Sequence, residues 1–210
     1  MKKHSGFIKN IIMVVASALT LVAVSFAWFT NNFETNLDEY KAVVSGDVLK
    51  VDFYQADESG AYQPLAGDIE LNEFVPGNYN KYKFLVTTKT ADKLKMSFNI
   101  ANLPEDIPQE LSESVCIKYS VYSTTKKTLA DGTVSYTDKT MIAQSEQYVP
   151  LADLSEGTIF SSLSLEEYQK KSGDVFAIYY EIGLSENAPA SVSGLESSLG
   201  SIQINAQRIS

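Results

Sequence analysis

Residues 92–100, DKLKMSFNI, alternate strictly: Leu94, Met96, Phe98 and Ile100 are apolar, with Lys93, Lys95, Ser97 and Asn99 between them. A pleated strand sends successive side chains to opposite faces, so this pattern builds one buried face and one wet face. The same period recurs in 47–55, DVLKVDFYQ, which sets Leu49, Val51 and Phe53 against Val48, Lys50, Asp52 and Tyr54. It recurs in 80–89, with Tyr82, Phe84 and Val86 on one side, in 114–124, SVCIKYSVYST, and in 200–209, GSIQINAQRI. Residues 174–184, DVFAIYYEIGL, are apolar almost throughout and read as a central strand.

The punctuation fits strands joined by turns. Pro76-Gly77 suits a type II turn, since proline presets φ and glycine takes the positive φ that follows. Asp131-Gly132 marks a hairpin. Thr90-Ala91-Asp92 sits where a hairpin loop would. Residues 101–114, with two prolines and many acids, read as a loop crossing between sheets, and 186–200 as a loop or a weak helix. One short helix is expected over 164–171, where Ser164 and Glu167 form a capping box and Gly173 stops it. About eight strands, one or two short helices and two long crossings predict an all-β, two-sheet antiparallel β-sandwich, with jelly-roll and immunoglobulin-like topologies both open.

The N-terminus differs in kind. Lys2, Lys3 and Lys9 precede an uncharged run from Ile11 to Phe26, expected as a hydrophobic leader helix. Ser25 and Ala27 are small residues spaced as a signal peptidase requires, with Trp28 the first residue after the cut. The expected division is therefore 1–27 signal peptide, or an uncleaved membrane anchor, then 28–44 an extended segment, then 45–210 the sandwich. Either way the body lies outside the cytoplasm, secreted or at the cell surface, and membrane contact runs through the leader alone.

Removing 1–27 takes three lysines and no acid, so the formal charge falls from −9 to −12. Such a surface disfavours nucleic acid, whose phosphates call for Lys and Arg. The single histidine, His4, leaves with the leader, which excludes histidine-based triads and zinc sites from the body. The one cysteine, Cys116, lies in an alternating run and reads as a small buried hydrophobe, with a chain-to-chain thiol as the other reading. No catalytic residue, cofactor-binding residue or metal ligand is assigned, and no enzyme activity is expected. A carboxylate-pair hydrolase remains the third option behind two non-catalytic roles.

The leader ending in SFAWFTNN, followed by a body opening near SGDVLKV, resembles the TasA and camelysin-like family of exported Gram-positive proteins. VSGDVLKVDFY looks like that family's first strand, 71–100 like its proline-glycine turn and paired hairpin, and GSIQINAQRI like its closing strand. The resemblance implies a jelly-roll domain, processing by a SipW-type signal peptidase, and self-assembly into biofilm matrix fibres by strand exchange through the new N-terminus. The donor would be 28–44, with Trp28, Phe29 and Phe33 as apolar anchors, each worth about 2 kcal/mol if fully buried. The alternative is a monomeric or anchored surface domain that binds a glycan or a protein; a camelysin-like hydrolase is the remaining reading.

Overall fold

The computed structural model describes residues 13, 41–45 (as backbone), 48–65, 75–101, 103–104, 106–130, 132–192 and 201–209. The cleavage motif at Ser25, Ala27 and Trp28, the anchors Phe29 and Phe33, and His4 lie outside the described residues, as does the leader apart from Met13.

Among the described residues eleven strands form two sheets. They are β1 (Lys41–Ser45), β2 (Leu49–Ala56), β3 (Tyr62–Pro64), β4 (Tyr79–Thr88), β5 (Leu94–Ala101), β6 (Val115–Thr128), β7 (Val134–Gln144), β8 (Val149–Pro150), β9 (Thr158–Ser164), β10 (Val175–Leu184) and β11 (Ser201–Arg208). The smaller sheet runs β1-β11-β5-β9; the larger runs β3-β2-β4-β10-β6-β7, with β8 also on β6. The fold is all-β, as the alternation predicts.

The two sheets share one core. β4 sends in Tyr82, Phe84 and Val86, β5 sends Leu94, Met96, Phe98 and Ile100, and β10 sends Phe176, Ile178, Tyr180 and Ile182. Phe98 meets Phe84, Phe160 and Tyr180 at ring-centroid distances of 5.9, 5.6 and 5.3 Å, so the aromatic centre of the core spans both sheets. Edge-on packing of this kind adds to the burial term. β10 is the central strand its composition calls for, paired on both sides, with β4 and β6. At Pro76-Gly77 the turn forms as expected: Gly77 has φ 78° and Asn78 N–H donates to Val75 O at 2.9 Å. The expected hairpin joins β6 and β7, with Gly132 in its turn at φ 85° and Leu129 N–H donating to Thr133 O at 2.8 Å; Asp131 lies outside the described residues.

Five expectations need correction. First, pairing is not wholly antiparallel: β1 lies parallel to β11, Lys41 opposite Ser201 through Ser45 opposite Asn205. Second, Lys41–Val44 therefore belong to a sheet, and the boundary at 45 falls inside a strand.

Third, β4 and β5 are not a hairpin, because they lie in different sheets. The end of β4 is taken by other partners. Thr88 N–H donates to Asp174 O, Gly173 N–H donates to Thr88 O, and Lys89 N–H donates to Val48 O. Residues 89–93 are a corner between layers.

Fourth, no α-helix forms over 164–171. A single turn does, with Tyr168 and Gln169 N–H both on Leu165 O. The next two amides, of Lys170 and Lys171, donate to the Asp174 carboxylate at 2.5 and 2.9 Å instead of to backbone carbonyls. A two-turn helix is marginal, and here a side-chain acceptor outcompetes it. Fifth, the 101–114 crossing contains a helix, α1 (Gln109–Ser114), which follows Pro108 and buries Leu111. Proline at a helix start loses no intrahelical hydrogen bond.

Candidate functional site

Among the described residues the two sheets have four edges, and these are unequal. β3 has three residues and ends in Pro64, which has no N–H to offer. β9 pairs with β5 through two register shifts, at Met96/Phe98 and Phe98/Asn99, and bulges of this kind break an edge's regular donor row. β1 is five residues held on one side by β11. β7 differs in length: it has 11 residues, pairs among the described residues with β6 alone, through two register shifts of its own at Val121/Tyr122 and Ser123/Thr124, and has Asp138 and Lys139 as its charges. Val134 and Met141 on it are 41% and 47% exposed. A long edge with exposed apolar side chains is a template for another strand.

The outer face of the larger sheet carries a second feature, one missed in the sequence. Seven of the chain's 12 tyrosines, Tyr54, Tyr62, Tyr79, Tyr122, Tyr136, Tyr148 and Tyr179, are half-buried at or around it. Tyr179 is its centre: Tyr62 and Tyr122 meet it edge-on, each at 5.8 Å, and Lys83 Nζ lies 5.1 Å from its ring. Tyr179 Oη donates to Asp138 at 2.6 Å, and Tyr148 Oη donates to Glu181. Burial first, then the hydrogen bond to a carboxylate, pushes both phenols above the usual tyrosine range. Beneath the rings Leu85, Val175 and Ala177 are buried on what would otherwise be a wet face.

Gly183 makes room for this layer. A Cβ there would lie 2.2 Å from Asn78 O and 2.9 Å from the Tyr79 ring, which stacks on Tyr148 at 4.1 Å. The available sequence signal was tyrosine recurring on the polar side of alternating strands, as at Tyr54 beside Lys50 and Asp52.

Cys116 is buried and without a disulfide, and burial pushes its thiol up. That favours the packing reading over a reactive thiol. Among the described residues Asp57 is the most perturbed carboxylate. Its side chain accepts from Ser59 Oγ, Gln63 Nε2 and the amides of Ser59 and Ala61, closing the β2–β3 turn. These bonds hold it down to about 2, Ser59 contributing most. This is turn chemistry rather than a reaction centre. Among the described residues no three metal-ligating side chains cluster. No family model matches the chain, and no curated protein or solved structure matches it.

Proposed function

We propose that the protein is a secreted structural subunit of a TasA-like kind, a jelly-roll domain whose copies join into fibres at the cell surface through sheet edges. The observation that carries this reading is the position of β1. The segment that follows the leader enters the smaller sheet at its edge, as a five-residue strand laid parallel on β11. A short edge strand close to the N-terminus is the element least costly to exchange between copies. The edge of β7 supplies the acceptor, because among the described residues no strand pairs with its outer side, where an incoming strand can add. The incoming strand is 28–44 of the next copy, released when a SipW-type peptidase cuts between Ala27 and Trp28.

Deleting residues 28–36 from the processed protein and imaging it by electron microscopy tests this. Loss of fibres is expected; fibres of unchanged length and abundance would contradict it. The tyrosine face favours a second reading, a monomeric surface domain that binds a glycan or a protein. Tyrosine offers a large, rigid, amphipathic contact at little entropic cost. A stable monomer that captures such a ligand through Tyr62 and Tyr179 would select that reading.

A further inference from the structure

Where the β6–β7 ribbon runs beyond the start of β10, it faces the 165–174 connection across an open cleft of about 400 Å³. That volume lies within the range of small-molecule sites, about 300–1,000 Å³. Four lysines line it: Lys126 and Lys139 from the ribbon, Lys170 and Lys171 from the connection. Fourteen basic residues follow position 27, so more than a quarter of the body's cations meet at one place in a chain of net charge −9.

The two acids in the lining do not cancel them. Asp174 turns its carboxylate onto the amides of Lys170 and Lys171, Glu167 accepts from Lys170 Nζ through its backbone O, and four lysines against these two carboxylates leave the lining at +2. Among the described residues the cations in ion pairs are Lys50, Lys93 and Arg208, and none of the four cleft lysines is among them. Hydroxyl groups complete the wall, from Ser123, Thr124, Thr140 and Tyr168. The cleft has a fixed frame: Thr124 Oγ1 donates to Val175 O at 2.7 Å, tying the ribbon to the strand that follows the connection.

We propose that this cleft binds an anionic saccharide, a hydroxyl-rich chain carrying phosphate or carboxylate. Lysines of one sign grouped in a concave wall concentrate counter-charge there. They act as flexible point charges rather than as the rigid fork of arginine, which suits anions whose spacing varies along a polymer. The hydroxyls pair with those of the sugar. The acidic remainder of the surface repels a long polyanion, so the site takes a short anionic stretch. The inference stands apart from the fibre reading, and failure of polymer growth would leave it intact.

Calorimetric titration of the purified full chain with oligogalacturonate and with phosphomannan separates the carboxylate source from the phosphate source. Dextran supplies the uncharged control and inorganic phosphate the bare ion. Binding of at least one anionic saccharide is expected, with dextran silent and the bare ion far weaker. K126Q/K139Q and K170Q/K171Q should each weaken it about fivefold or more. Raising salt from about 50 to about 200 mM should weaken it about tenfold, as for roughly two charge contacts. All four lysines are exposed, so the fold should persist, as circular dichroism would verify. If the 170/171 pair disturbs its connection, K126Q/K139Q alone decides. Equal binding of dextran or of inorganic phosphate, or unchanged binding in K126Q/K139Q, would overturn the proposal.

Discussion

Asp57 shows how much local order one carboxylate can hold. Four donors converge on it, and its pKa falls from 3.8 to about 2. Because the folded value is depressed, its contribution is fully present above the unfolded value near 4 and is lost as pH falls through about 2. NMR titration should place the Asp57 carboxyl midpoint near 2, with the amides of Ser59 and Ala61 shifting in step. A midpoint near 4 would remove the turn from the account. Gly183 sets a different limit, that of space. Gly183→Ala should lower stability by about 1–3 kcal/mol, since backbone rather than a flexible side chain opposes the new methyl group. Thermal unfolding measures the loss, and near-UV circular dichroism should report disturbance of the Tyr79–Tyr148 stack.

At the level of elements, alternation was the reliable guide. In β5 each apolar residue from Leu94 to Ile100 is buried, and in β2 Leu49, Val51 and Phe53 face the core while Tyr54 faces outward. Period two decides which face of a strand is wet, but it is silent on which sheet the strand joins. A β4–β5 hairpin and a β4–β5 corner both bury Phe84 and Phe98. What separates them is remote: Thr88 is held by Lys171 and Asp174, more than 80 residues away. The same remote chemistry explains the missing helix. The capping box at Ser164 promised one, yet Gln169 Nε2 reaches Thr90 O and Asp174 claims the following amides. Asp174→Ala should cost about 1–2 kcal/mol by leaving those amides without a protein acceptor. The midpoint of urea unfolding would show it, and an unchanged midpoint would mean that water replaces the carboxylate at no cost. The tyrosine face and the lysine cleft were hidden for a related reason. Each gathers residues from several strands, and a linear reading sees only traces such as Lys126-Lys127 and Lys170-Lys171.

Over the whole molecule, two sheets rest on one aromatic centre, and the edges are where the fold is incomplete. Phe98→Ala removes a ring with three aromatic partners from a fully buried site and should cost about 3–5 kcal/mol, enough to threaten a domain of this size. In the proposed assembly the edges take the opposite event, addition of a strand, with β1 as the element given up and β7 as the element that accepts. The most direct test is light scattering of the chain that begins at Trp28, followed over a range of concentrations. Assembly through sheet edges predicts growth into polymers as concentration rises; a monodisperse monomer at every concentration would contradict it.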